Sequence, residues 1–349
     1  MKAVAFAVPG DLSTPTGGYV YDRRIIDELA VLGWAVDALD IGEGFPRPSG
    51  QIRAQARARL AAVPDGRPIV IDGLAFGVLE TEAKALRPRH PLVALVHHPL
   101  ALETGLSADE CESLRASERA ALTCAHRVVT TSGATARLLL TEYDVPAHRL
   151  TVVRPGTERA DTSPRQDDGT IALLSVGSVV PRKGYDVLVA ALALLKDLPW
   201  RLVIAGDRTR SPDCARRLDQ EIARLDLGDR ITFLGAVAPE QLAVLYSTAD
   251  LFVLPSRFEG YGMAYAEAIA HGLPIVATNA GAISETVPAG AGVLVPPDDF
   301  GALAAALRRL IECPGERMTL AAGARGAAET LPSWRESAAL FARVLDGIG

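Results

Sequence analysis

Two glutamates and one pair of adjacent cations are the residues of this chain best suited to chemistry. Glu259 and Glu267 lie eight positions apart in PSRFEGYGMAYAEAIAHGLPIVAT, residues 255–278, a stretch otherwise composed like hydrophobic core. LFVLP and LPIVAT, on either side, are short apolar runs that read as buried strands. Between them GMAYAEAIAH, closed by Gly272, reads as a helix with a left-handed glycine cap. That helix has almost no polar face, so a carboxylate on it needs a partner: leaving it buried and unpaired costs roughly several kcal/mol. Glu259 falls instead in the loop at a strand's carboxyl end, where open α/β sheets bind ligands. The two carboxylates can flank one ligand, and Gly260 and Gly262 let backbone N–H groups approach hydroxyls or phosphate oxygens. The cations are Arg182 and Lys183, in SVGSVVPRKGYDVLVAAL, after a strand and just before a helix. A guanidinium fork plus a point charge at a helix N-terminus makes an anion site; the alternative is a solvated basic turn.

The first half offers fewer such residues. In TPTGGYVYDRR, Gly17 and Gly18 open a helix after the first strand, which suits a phosphate or simply a tight turn. In VALVHHPLALETG, His97 and His98 end a strand, with Glu103 close by. An imidazole there can hydrogen-bond a hydroxyl or orient an acceptor, while one of the two is expected to be packed and satisfied. With no third ligand at metal spacing the pair does not read as a metal site, and no metal is expected. Arg53, Arg57 and Arg59 in RAQARARL lie on a helix that would rest weakly on anionic lipid or else present a solvated face. The dinucleotide motif G-x-G-x-x-G and the P-loop are absent, as is Asp-x-Asp, the simplest hold for Mg²⁺ on a diphosphate. A bound diphosphate would be neutralised by Arg182, Lys183 and helix dipoles.

These residues need a scaffold of repeated strand–helix units. KAVAFAV, WAVDALDI, PIVIDG, PLVALVHH, RVVTTS and RLTVVRPG read as strands of a first half. The helix YVYDRRIIDELAVLG carries Ile25, Ile26, Leu29 and Leu32 on one face and ends at Gly33. The polar, turn-rich segment 155–170 reads as a linker. IALLSVGS then begins a second series: helix VLVAALALL, strand WRLVIAGD, a helix over 216–225, strand ITFLG, a helix over 239–248, the unit already described, strand GVLVPP and a helix from about Asp299. Both halves are α/β with parallel sheets. Length supports two domains: 349 residues exceed one typical core. The net charge of −6 argues against nucleic acid as a partner. The N-terminus reads as a strand rather than a leader, and no apolar run reaches about eighteen residues, the length of a membrane span. Cys111, Cys124, Cys214 and Cys313 have no paired spacing, which suits a reduced, cytoplasmic protein without zinc or disulfides.

VGSVVPRKGYDVLVAAL, VIAGD, FLGAV, PSRFEGYGMAYAEAIAHGLPIVATNAGAISETV and GVLVPPDD together resemble the retaining nucleotide-sugar glycosyltransferases of family 4; TGGYVYDRRIIDELAVLGWAV, ALVHHP and VVTTS carry the likeness into the first half. The resemblance implies the GT-B fold, two Rossmann-like domains facing across a cleft: residues 1–160 on the acceptor side, 161–331 holding the donor, and a helix in 332–349 crossing back to the first. It implies that Glu259 contacts donor-sugar hydroxyls and Glu267 the ribose, and that Gly260, Tyr261, Gly262 and Met263 offer backbone groups. Arg182 and Lys183 would hold the diphosphate. Gly17, Gly18 and His98 would lie near the donor, with His97 beside its sugar. Many relatives carry Arg where this chain has Ser178, and Arg182 is the residue that would supply that guanidinium. The implied reaction moves a hexosyl group from a UDP- or GDP-linked sugar to an acceptor hydroxyl, with no cofactor required. A non-catalytic sugar-nucleotide-binding protein and a sugar-nucleotide epimerase are the alternatives. The implied location is the cytoplasm, with peripheral contact at the inner membrane face through the N-terminal domain.

Overall fold

The computed structural model describes residues 2–103, 105–158, 160 and 169–348. Of the expected linker 155–170, residues 159 and 161–168 therefore lie outside the described residues. The chain divides into two compact units, Met1–Gly156 together with Pro332–Gly349, and Thr157–Leu331.

The first unit holds a six-stranded parallel sheet of β1 (Ala3–Val8), β2 (Ala35–Asp40), β3 (Ile69–Asp72), β4 (Leu92–Val96), β5 (Arg127–Thr130) and β6 (Leu150–Val152). Their order is β2-β1-β3-β4-β5-β6. The central strands β3 and β4 are buried along their whole length, which is why they read as continuous apolar runs rather than as alternation. The helix Gly17–Val31 follows β1, and the helix Trp334–Asp346 packs against it. Phe341 reaches the sheet, stacking on Phe6 at 6.2 Å between ring centroids. Close approach at this seam requires Gly156, where a methyl group would sit 2.3 Å from the Trp334 backbone nitrogen.

The second unit repeats the plan with β7 (Ile171–Val176), β8 (Trp200–Ala205), β9 (Ile231–Gly235), β10 (Leu251–Leu254), β11 (Ile275–Thr278) and β12 (Gly292–Val295), in the order β12-β11-β10-β7-β8-β9. The expected helix over 239–248 is found as Pro239–Thr248, and that over 216–225 begins earlier, at Pro212. Among the described residues, the three helices of ten or more residues that the apolar pattern left unassigned are Ala108–Leu122, Gly133–Glu142 and Pro314–Ala328.

Strand order reverses direction between β1 and β3 in the first sheet and between β7 and β10 in the second. Such switch points leave a crevice beyond the strands' carboxyl ends, where α/β proteins place their ligands. No helix among the described residues is long and apolar enough to cross a membrane.

Candidate functional site

At the switch point of the second sheet, the residues after β7 meet the residues after β10. Arg182 and Lys183 lie in a 3₁₀ turn after β7, and the helix Tyr185–Ala193 follows at once. Glu259 lies in the loop after β10, six per cent exposed. Its Oε1 accepts from Lys183 Nζ at 2.6 Å and from Ser256 Oγ at 2.7 Å. Its Oε2 accepts from Arg182 Nη1 at 3.0 Å, and the same guanidinium nitrogen donates to the Phe258 carbonyl at 2.9 Å. Burial alone would raise this carboxyl, but Lys183 and then Arg182 outweigh it and hold it at about 2. Gly177 makes room for the lysine: a methyl group there would stand 3.0 Å from Lys183 Cε. The cluster therefore joins two groups that the sequence reading assigned to different parts of a ligand. The cations expected on a diphosphate and the carboxylate expected on a sugar are bonded to one another.

Glu267 lies on the next element, the helix Met263–Ala270. The partner that its apolar setting demanded is Tyr246, whose hydroxyl donates to Oε2 at 2.9 Å. Burial raises the Glu267 carboxyl, against the Tyr246 hydrogen bond and the nearby charge of Lys183. The Tyr246 ring is fixed by stacking on His271, 5.2 Å away. Gly262, the residue that caps the start of this helix, has φ +91°, a conformation that a side chain would strain. Gly260 and Tyr261 are buried in the same turn, the Tyr261 carbonyl accepting from Thr286 Oγ1 at 2.6 Å, and Met263 begins the helix half-buried. Ser178 follows Gly177 as β7 runs into this turn.

The first sheet carries its own cluster at its switch point. His97, just past β4, turns Nε2 toward Asp22 Oδ1 at 3.1 Å and Asp72 Oδ2 at 3.2 Å. Asp22 lies on the helix Gly17–Val31 and Asp72 ends β3. Burial opposes a charge on the imidazole, but Asp22 and Asp72 outweigh it and push His97 up to about 10. Gly18 faces the ring edge, where a methyl group would lie 3.4 Å from Cδ2, and Gly17 is the first residue of the helix, capped by Thr16. The structure separates the two histidines. His97 is inside this cluster, whereas His98 meets Glu103 Oε2 at 3.1 Å.

Asp22 and Asp72 were not singled out from the sequence, though a signal was there. Asp22 shares the buried face of its helix with Ile25 and Leu29, an acid on an apolar stripe, and Asp72 ends the apolar run IVID. The three arginines of the basic helix, Gly50–Ala61, are engaged within the fold. Arg53 forks onto buried Glu82 at 3.0 and 2.9 Å, Arg57 reaches the same carboxylate at 2.9 Å, and Arg59 meets Asp40 Oδ2 at 3.2 Å.

Two parallel α/β sheets, each with a ligand-type cluster at its switch point, give the architecture of GT-B glycosyltransferases. The structure aligns with sucrose-phosphate synthase from Thermosynechococcus elongatus at a TM-score of 0.85, 24% identity and 99% coverage of both chains. It aligns with the Anabaena protein HepE in complex with UDP-glucose at a TM-score of 0.79, 20% identity, 99% of this chain and 100% of that one. Residues 157–327 match the family described as glycosyl transferases group 1. MMP alpha-(1->4)-mannosyltransferase of Mycolicibacterium hassiacum is 30% identical over 315 residues, 85% of this chain and 74% of that protein. The chain belongs to the glycosyl transferases group 1 family, and it is an enzyme, a glycosyltransferase.

Proposed function

We propose that this enzyme transfers a hexosyl group from a nucleoside-diphosphate sugar to an acceptor hydroxyl with retention of anomeric configuration. The observation that carries the reading is the Arg182–Lys183–Glu259 cluster at the second sheet's switch point: two cations on one carboxylate leave a net positive charge beside a helix N-terminus. An arriving diphosphate shares Arg182 and Lys183 with Glu259. In the reaction the bond from the anomeric carbon to the β-phosphate oxygen breaks, and the acceptor oxygen bonds that carbon on the same face. The acceptor's proton passes to the departing phosphate. The protein's share is electrostatic, holding the charge that grows on the leaving group. Arg182 and Lys183 supply that charge without a metal ion. Glu259 also reaches the sugar hydroxyls, Glu267 holds the ribose, and the 260–263 turn offers backbone groups. His97 contacts the transferred sugar.

A mannosyl or glucosyl group is the first choice, since one relative is named a mannosyltransferase and one structural neighbour holds UDP-glucose. A thermal-shift panel of UDP- and GDP-linked hexoses tests the donor, because a tight binder raises the melting temperature by mass action. Release of nucleoside diphosphate with the stabilising donor and an acceptor tests the reaction. No shift and no release with any donor would refute the reading.

A further inference from the structure

The cluster around His97 contains more acid than its proposed role requires, and that excess fixes both the orientation and the charge of the ring. Three separate elements deliver its members: the helix Gly17–Val31, the end of β3 and the residue after β4. One ligand atom from each of Asp22, Asp72 and His97 falls within 4.8 Å of the others. Asp22 is wholly buried, and its Oδ2 has no hydrogen-bond partner among the described residues. An orphaned, desolvated carboxylate oxygen is costly unless it carries a proton or meets a cation. The ring has little freedom to turn away. Tyr21 meets it edge-on at 5.3 Å between centroids.

We infer that Asp22 and Asp72 are positioning residues: they hold Nε2 of His97 inward and leave Nδ1 as the atom presented to an oxygen of the substrate. This inference rests on the reading of His97 as a substrate contact. Its chemical consequence is specific. Two carboxylates against one nitrogen favour the imidazolium, and two acids this close favour keeping one proton between them. Asp22 is the acid to hold that proton, burial and then the Asp72 charge raising its carboxyl to about 7. Beside the ring lies Tyr21, whose hydroxyl donates to the Val153 carbonyl at 3.0 Å and is kept neutral by burial. Nδ1 then carries a hydrogen and donates it. His97 meets a lone pair on a sugar hydroxyl or phosphate oxygen, and it is no general base for the acceptor.

Side-chain ¹⁵N NMR of the full-length protein tests this, with His97→Gln assigning the signal among the six histidines. In the wild type His97 is expected to stay doubly protonated up to pH 9, with Nε2 the more strongly hydrogen-bonded nitrogen. In Asp22→Asn and Asp72→Asn its pKa should fall by at least one unit. Turnover in these variants should drop tenfold or more, while the affinity for nucleoside diphosphate alone is unchanged. A wild-type His97 that titrates near 6.5 overturns the inference even if the variants fail to fold. So does a signal that shifts on adding Zn²⁺ or Mn²⁺ and recovers with EDTA, which would make the three side chains a metal site. The NMR result does not depend on transfer, so a failure of the glycosyltransferase mechanism is told apart from a failure here.

Discussion

The two switch-point clusters are near mirror images in composition: two cations on one acid in the second unit, two acids on one cation in the first. Their exposure removes the symmetry. In the second cluster the Glu259 side chain is 8% exposed, beneath Lys183 at 14% and Arg182 at 17%. In the first, Asp22 at 0% and Asp72 at 7% lie beneath His97 at 19%. Both clusters therefore set their acids inward and their cations outward. The acids act as holders of positive groups, and the number of acids sets how much charge is left over. The second cluster keeps a surplus of positive charge, which the proposed reaction would use on its leaving group; the first keeps no such surplus.

The largest test of this difference lies in the surplus. Lys183→Ala should lower turnover about 10²–10³-fold, as losing one preorganised charge contact commonly does, and Arg182→Ala should do the same. Steady-state release of nucleoside diphosphate measures both. Because Glu259 bonds both cations, Lys183→Ala also leaves that carboxylate with less compensation beside the phosphates. Adding Glu259→Gln to Lys183→Ala should then cost less than the sum of the two single losses. Strict additivity would mean that Glu259 and Lys183 act on separate events.

The second test is acid stability. The Glu259 carboxyl, held at about 2 from an ordinary 4.5, contributes about 3 kcal/mol at neutral pH. That contribution is present above the unfolded value and is lost as pH falls from about 4.5 through about 2. Urea unfolding should show Glu259→Gln destabilised at pH 6, less so at pH 3, and nearly equal to wild type only below pH 2. The first cluster has the opposite sign. Asp22 and His97 have raised values, so their contributions are complete at low pH and are lost as pH rises through about 7 and about 10. Hydrogen exchange read separately on the two sheets should show the second loosening in acid and the first in alkali.

Why one cluster was visible in the sequence and the other only half so follows from how each is built. Arg182, Lys183 and Glu259 all stand in loops at strand ends, in segments where charge interrupts an apolar pattern, and each could be named from its neighbours. Their mutual bonding could not be seen, because it spans 76 and 77 residues of chain. His97 could be named, but Asp22 is hidden by its own helix: in YVYDRRIID it reads as one more polar residue until its register with Ile25 and Leu29 is followed. His97 and His98 are adjacent and chemically identical, so only tertiary structure distinguishes them. The helix Pro314–Ala328 was obscured by glycine, a poor helix former. Gly323 is present because a methyl group there would lie 1.8 Å from the Gly290 carbonyl oxygen.

A smaller effect is expected at Glu267, whose carboxylate accepts a hydrogen bond from the Tyr246 phenol. Glu267→Ala should weaken nucleoside-diphosphate affinity about tenfold, near 1.4 kcal/mol, with turnover at saturating donor much less affected. Tyr246→Phe should weaken it by a few-fold, since it removes the hydrogen bond that orients the carboxylate but leaves the carboxylate itself. Isothermal titration distinguishes the two, and equal affinity in all three proteins would remove Glu267 from the nucleotide site.

The smallest effect concerns the basic helix, where the same rule of acid beneath cation recurs without a switch point. Glu82, 2% exposed, lies under Arg53 and Arg57. Arg57, at 62% exposed, should contribute no more than about 1 kcal/mol to stability through this pair. If these arginines serve the fold alone, Arg57→Ala leaves flotation on phosphatidylserine vesicles unchanged, at the level of vesicles of neutral lipid. If the helix also rests on anionic lipid, wild-type flotation exceeds that level and falls in Arg57→Ala. The Glu82 carboxylate already takes up part of the positive charge that lipid phosphate would need, so the first outcome is expected.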